Sequence, residues 1–256
     1  MSFPQGWLVP QWPVPARVRA TCTVRTGGAS GKPYDSLNLG AHVGDDPGAV
    51  AANRAAVTKA LGASPVFLEQ VHGNAVVRID AATPHATRAD GCLTTESGVA
   101  CTIMVADCLP ILLADAKGTA VAAAHAGWRG LAGEGGAGIV ENTVRLLREA
   151  AGGRELVAWL GPCIGPAAFE VGDEVKQAFE RYDPAAASMF TPGPAGGKWM
   201  ANLQGLARQR LAALGVLHIH GNDGSAPWCT VSNPSVFFSH RRDRTSGRFA
   251  ACVWLD

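Results

Sequence analysis

Ala106-Asp-Cys-Leu-Pro-Ile-Leu-Leu-Ala-Asp115 is followed, after a short gap, by Ala120-Val-Ala-Ala-Ala-His-Ala-Gly-Trp-Arg-Gly130. Two apolar runs flank a turn, and each reads as a buried strand. Cys108 stands immediately before Leu109-Pro110, and His125 stands immediately before Ala126-Gly127. A thiol and an imidazole displayed at the ends of buried strands make either a metal site or a nucleophile–base pair.

Outward from this stretch, strand and helix signals alternate without a strict βαβ rhythm. Residues 17–24, 65–71, 76–80, 92–95, 98–105, 156–160, 216–220 and 249–255 read as strands. Asp45-Asp46-Pro47 caps a helix that stops at Gly62, an amphipathic helix begins at Ile139 and stops before Gly152-Gly153, and further helices span 174–182 and 201–214. Residues 183–198, rich in Pro and Gly, read as a loop, and 237–248 as a basic loop. There is no repeat and no linker long enough to divide the chain. The expectation is therefore an α+β fold. It is a single domain over residues 1–256, a layered α/β sandwich of mixed sheets flanked by helices. Residues 1–16, with their prolines and tryptophans, form an extended segment laid over the body.

The chain has 256 residues, 47% apolar and 17% charged, enough for a sizeable core. A net charge of +1 gives no bulk steering toward nucleic acid or a membrane surface. No apolar run approaches a membrane span, and the N-terminus lacks a signal peptide's basic region and apolar core. Seven cysteines at irregular spacings, with no C-x-x-C pair, imply free thiols in a reducing cytoplasm. Neither a dinucleotide-binding fingerprint nor a P-loop occurs. Nothing signals an interface, so a monomer is the default.

Of the seven histidines, His72 and His125 end apolar runs beside glycine, the setting that Cys108 shares. Two imidazoles and a thiolate leave a fourth position open, the pattern of a catalytic zinc. Spacing alone does not choose between this trio, a Cys108–His125 nucleophile pair and inert core side chains. Asp107 is a candidate to hold an imidazole or a water behind the ligands, or else a turn aspartate. Arg129 falls at a helix start, where it and the backbone N–H groups would meet an anion. Arg25 stands at the mouth of a Gly/Ser loop, and Arg241, Arg242, Arg244 and Arg248 form a basic cluster. Asn38, between two leucines, reads as a satisfied buried amide or as a substrate contact. Asp90-Gly91 reads as a turn.

An ordered set of motifs carries a resemblance. R-T-G-G-A-S (25–30), S-L-N-L-G (36–40), V-G-D-D-P (43–47), E-Q-V-H-G (69–73), A-D-C-L-P (106–110), H-A-G-W-R-G (125–130), G-P-C-I-G-P (161–166), F-E-V-G (169–172), F-F-S-H-R-R (237–242) and S-G-R (246–248) are similar to those of the bacterial YfiH/YlmD laccase-domain family. The match runs from about Arg17 to Asp256, and A-D-C-L-P with H-A-G-W-R-G is specific. The resemblance implies a layered sandwich like that of toxin cysteine deamidases. It implies zinc, with copper as second choice, on His72, Cys108 and His125. It implies purine nucleoside phosphorolysis of adenosine, inosine and methylthioadenosine, with adenosine deamination. On that reading Arg25, Asn38, Arg129, Arg241 and Arg242 contact substrate, with phosphate and nucleosides as the small-molecule partners. A cysteine hydrolase or amidase, a peptidoglycan-precursor editing enzyme and a copper-dependent polyphenol oxidase are the alternatives. Two positions depart from the family pattern: His240 where many members have tyrosine, and Cys163 where many have alanine.

Overall fold

In the computed structural model the described residues are 3–256; the first two residues of the expected 1–16 segment lie outside them. From Phe3 onward the segment is largely extended, and Leu8 exchanges backbone hydrogen bonds with Cys22. The chain then runs through β1 (Val18–Cys22), α1 (Pro47–Leu61), β2 (Ser64–Phe67), β3 (Val76–Arg78), β4 (Gly91–Thr94), β5 (Val99–Val105), β6 (Leu109–Asp115) and β7 (Val121–Ala126). Next come α2 (Trp128–Ala132), α3 (Ile139–Ala150), β8 (Leu156–Leu160), β9 (Glu170–Gly172), α4 (Asp173–Glu180), β10 (Phe190–Pro192) and β11 (Lys198–Ala201). The last elements are α5 (Leu203–Ala213), β12 (His218–Gly221), α6 (His240–Asp243) and β13 (Phe249–Leu255).

Three mixed or antiparallel sheets result: β1-β13-β5-β2, β12-β8-β6-β7-β4-β3, and the small β10-β11-β9. The two-residue period of a strand assigns each side chain to a layer. Val99, Cys101, Ile103 and Val105 of β5 face Leu112 and Ala114 of β6 and Val121 and Ala123 of β7 in one core between the two large sheets. The alternate residues of β5, Ala100 and Met104, face outward onto Val57 and Leu61 of α1. Those of β6 and β7, among them Ile111, Leu113, Ala122 and Ala124, face Val144 and Leu147 of α3 and Leu206 and Leu211 of α5. The order of layers is thus α1, four-stranded sheet, six-stranded sheet, α3 with α5. This is the layered sandwich of mixed sheets expected from the sequence.

Local chemistry explains the elements. The Asp46 carboxylate accepts from the Ala49 N–H at 2.7 Å, Pro47 occupies the first helical turn, and Gly62 closes α1 with φ +64°. Three segments differ from expectation, one being the expected basic loop 237–248, which contains α6. Residues 183–198 are not a plain loop: Pro184–Met189 forms a 3-10 turn, and β10 pairs with β11 because Phe190 finds a buried seat. The strand expected over 65–71 ends at Phe67. Residues 69–73 leave the sheet to serve the site described below. No helix among the described residues is long and apolar enough to cross a membrane.

Ile103 is fully buried where the two sheets meet. Ile103→Ala is expected to lower the unfolding free energy by about 2–5 kcal/mol, read from the midpoint of urea unfolding.

Candidate metal centre and its cavity

β5 lies in the four-stranded sheet and β6 in the six-stranded one. Ala106-Asp107-Cys108 is the crossing between them. Asp107 takes φ +90°, and its carboxylate accepts from Thr230 Oγ1 and from the Arg241 N–H, both at 2.6 Å. That pins the crossing. Strand parity then places Cys108 on the inter-sheet side with Pro110, Leu112 and Ala114. By the same rule His125 falls with Val121 and Ala123 on the facing side of β7. Pro110 pairs with His125 in the ladder, so Cys108 comes opposite Gly127. A Cβ at Gly127 would stand 2.8 Å from His72 Cδ2 and 3.1 Å from Cys108 Sγ. Glycine there makes room for two functional side chains rather than supplying an unusual backbone angle.

His72 comes from a different construction. It is not at a strand end: it lies five residues past Phe67, in a loop, with φ +61°. The buried carboxylate of Asp90 holds this loop, accepting the N–H groups of Val71 (3.2 Å), His72 (2.9 Å) and Gly73 (2.7 Å). The same carboxylate takes the His125 Nδ1 hydrogen at 2.8 Å. That bond fixes the imidazole tautomer and leaves Nε2 to face the cleft. Gln70 clamps the loop from the other side, bonding both N–H and C=O of Met104. His72 Nε2 ends 3.7 Å from Cys108 Sγ, and the two imidazole rings sit 4.8 Å apart at 70°.

The electrostatics follow from these contacts. Burial alone raises the Cys108 pKa, but the adjacent His125 and the hydrogen bond from His72 outweigh it and bring it down to about 6. Burial alone lowers that of His125, but the Cys108 sulfur and Asp90 overrule it and raise the value to about 9. For Asp90, burial works upward and is outweighed by His125 and the peptide N–H groups, so its pKa falls below the usual carboxylate value. Near neutrality and without metal, the site is a thiolate–imidazolium pair resting on a carboxylate.

The donor set fits a metal. The three donor atoms of His72, Cys108 and His125 all lie within 4.8 Å of one another. Zinc–sulfur and zinc–nitrogen bond lengths at a tetrahedral angle put S and N about 3.6 Å apart, and the observed 3.7 Å matches. His125 is buried, Cys108 partly exposed and His72 exposed, so the fourth position faces outward into a cavity of about 440 Å³.

The cavity also receives Asp107, Arg129 and Arg241, but not every residue expected there. Arg25 is outside, its guanidinium bonded to Asp35 and to the Pro234 carbonyl. Arg242 is outside, donating to the carbonyls of Thr230, Val231 and Phe237 and paired with Asp243. Asn38 is fully buried and satisfied by Asp45, Gly40 and the Arg248 N–H. Polar groups so committed belong to the scaffold. Asp107 lines the cavity but braces the strand crossing rather than an imidazole; Asp90 braces the imidazole. The residues missed were Asp90, His42 and the aromatic wall of Trp128 and Phe169, while Arg244 and Arg248, read from sequence as part of the basic cluster, also line the cavity. Asp90-Gly91 gives only a turn signal, so nothing local in the sequence reveals its four hydrogen bonds.

Two measurements check this arrangement. In metal-free protein, iodoacetamide should modify Cys108 ahead of the six buried cysteines. The thiolate is the reactive form, so the rate should rise through a midpoint near pH 6 and level off above it. His125→Gln should move that midpoint upward. Separately, Asp90→Ala should weaken zinc affinity about 10- to 100-fold in a competition titration, because both histidines lose their support.

The comparisons with known proteins place the chain in a family. Residues 19–256 match the family model described as multi-copper polyphenol oxidoreductase laccase. A Pseudomonas aeruginosa protein named purine nucleoside phosphorylase is 53% identical over 250 residues, covering 98% of each chain. Escherichia coli YfiH, also named purine nucleoside phosphorylase, is 48% identical over 97% of this chain and 98% of its own. The crystal structure of a Neisseria meningitidis protein superimposes with a TM-score of 0.90 at 44% identity, covering 98% of this chain and 100% of that one. YlmD from Geobacillus stearothermophilus gives 0.85 at 31% identity, over 100% of this chain and 98% of its own. With a family model spanning nearly its whole length and relatives of this similarity, the chain belongs to the YfiH/YlmD laccase-domain family.

Proposed function

We propose that this protein is a zinc-dependent purine nucleoside phosphorylase. On this reading it acts on adenosine, inosine and methylthioadenosine, and also deaminates adenosine. The observation that supports it is one cavity in which the His72–Cys108–His125 donor set opens beside an arginine-lined wall. The names of the relatives point the same way. A volume of about 440 Å³ suits a small organic ligand, and Trp128 and Phe169 offer aromatic faces to a base.

In the reaction, an oxygen of inorganic phosphate bonds to ribose C1′ as the C1′–N9 bond breaks. The bonding pair leaves with the purine, which takes up a proton, and the products are the free base and ribose 1-phosphate. The ribose gains positive charge on the way, and the phosphate must be held against it. Arg129, whose guanidinium lies over the Trp128 ring, is one candidate to hold it. Arg241 lines the same wall, with its guanidinium donating to the carbonyls of Ala168 and Glu170. His72, Cys108 and His125 would hold the zinc, which when bound supplies Lewis acidity toward a substrate oxygen. Asp90 keeps His125 in the tautomer that can coordinate. The whole chain acts as one unit in this proposal, as a monomer in a reducing cytoplasm, consistent with seven free thiols.

A second reading has its own observation. The lowered pKa of Cys108 beside His125 also suits a cysteine nucleophile with its base. Copper is the second choice of metal, since two histidines and a cysteine are also a copper donor set.

The deciding experiment incubates zinc-loaded protein with adenosine, with and without phosphate, before and after chelation. Adenine and ribose 1-phosphate are expected only with phosphate, and inosine in either case. Both activities should fall at least 100-fold on chelation and return with zinc. Activity that survives complete metal removal would overturn the zinc reading in favour of the cysteine one. Silence toward every nucleoside would favour a cell-wall precursor as substrate.

A further inference from the structure

The cavity beside the donor set carries an excess of fixed positive charge. Its lining includes Arg129, Arg241, Arg244 and Arg248 but a single carboxylate, Asp107. Both Asp107 oxygens are already engaged, by Thr230 and by the Arg241 N–H. Arg241 spends its two terminal nitrogens on the carbonyls of Ala168 and Glu170. Arg248 uses only Nη1, on the carbonyls of Ser246 and Gly247, so its Nε and Nη2 have no acceptor among the described residues. The Arg244 guanidinium has neither a hydrogen bond nor an ion pair among them.

The chain goes to some length to place these two side chains. Asp243 and Thr245 close a three-residue turn, the Thr245 N–H donating to the Asp243 carbonyl at 2.7 Å. Arg244 sits at its centre with φ +62° and ψ −64°, the strained form of the γ-turn. An arginine there is unfavourable locally, and such outliers gather at ligand clamps. Arg248 is set by three motifs, none of which supplies a donor atom to the metal centre. Asn38 Oδ1 accepts its N–H at 2.8 Å and that of Gly40 at 2.9 Å. A Cβ on Gly40 would fall 2.8 Å from Arg248 Cγ, and one on Gly247 would fall 2.7 Å from the Phe238 ring. The segments 36–40, 237–242 and 246–248 thus meet around the backbone and the base of the Arg248 side chain. Arg248 lines the same cavity as His72, Cys108 and His125, which puts it beside the donor set.

We infer that Arg248 and Arg244 form the subsite for a phosphoryl anion, with Asn38 as the positioning residue of Arg248. The subsite rests on the phosphorylase reading for its natural occupant, inorganic phosphate. A nucleoside 5′-phosphate ester would present the same chemistry. Planar guanidinium groups with free N–H pairs suit phosphate oxygens, and each such charged contact is expected to be worth about 10- to 100-fold in affinity.

The test uses the zinc-loaded full chain and the variants Arg244→Gln, Arg248→Lys and Asn38→Ala, each checked for an unchanged thermal midpoint. Phosphorolysis is measured against phosphate at saturating nucleoside and against nucleoside at saturating phosphate. Calorimetric titration with inorganic phosphate, and separately with adenosine 5′-phosphate, reads binding without turnover. The KM for phosphate should rise about 10-fold or more in both arginine variants, with the nucleoside KM moving less than about threefold. Asn38→Ala should show the same selective rise, which a merely structural role would not. If the adenosine 5′-phosphate titration weakens and the phosphate KM does not, the subsite stands and its occupant is the ester. If wild type lacks phosphorolysis yet binds phosphate in an Arg248-dependent way, the activity reading fails and the subsite stands. Unchanged phosphate KM and unchanged binding of both anions in the two arginine variants would overturn the inference.

Discussion

A single buried carboxylate holds this site together. Asp90 accepts three successive backbone N–H groups from the His72 loop and the Nδ1 hydrogen of His125. A loop with His72 at φ +61° has no ladder to satisfy its peptide groups, and a buried carboxylate has no water. Each requirement answers the other, so the arrangement is stable only as a whole. It also spans the layers. The His72 loop leaves β2 of one sheet, while Asp90 precedes β4 and reaches β7, both in the other. The crossing 106–108 makes the complementary link from β5 to β6. The two sheets are therefore tied at one end by the residues that supply the donors, and the distance between donors is set by the packing of the sandwich.

Space is the second constraint. β7 is buried on both faces and four of its six residues are alanine, with Val121 and Ala123 toward one core and Ala122 and Ala124 toward the other. At its end Gly127 leaves room for His72 and Cys108, and Gly130 lets Gly73 approach, since a Cβ there would meet the Gly73 carbonyl at 2.5 Å. The H-A-G-W-R-G motif thus combines one donor with two absences. The absences are as specific as the donor, because a methyl group at either position would push the His72 loop away from Cys108 and His125.

Much of this was legible in the sequence, and the limits are physical. Cys108 and His125 could be read from apolar runs, since a two-residue period decides which way a strand residue points. His72 was found for a partly wrong reason: it ends an apolar run, but the run stops being a strand at Phe67. Asp90 was invisible because its four partners lie 17 to 35 residues away. Where the arginines end up is hidden for a related cause. Sequence shows that Arg25, Arg241 and Arg242 stand near glycine or in a basic run, but not that nearby carbonyls already use their N–H groups. An arginine is available to a ligand only after the scaffold's own acceptors have been counted, and that count requires the fold.

Charge illustrates the same point. A net charge of +1 argues against bulk attraction to a polyanion. It says nothing of a cavity where four arginines face one engaged aspartate. Field strength depends on which charges are paired, and none of these four arginines has an ion pair among the described residues. The family's description as multi-copper sits less easily with the structure. A multicopper centre needs several clustered histidines. Among the described residues one group of three donors meets within 4.8 Å. His42 and His240 also line the cavity but do not join that group. A three-donor set that opens beside an arginine-lined wall suits the displacement at a sugar carbon proposed above, in which charge that develops on the substrate is met by groups already fixed in place.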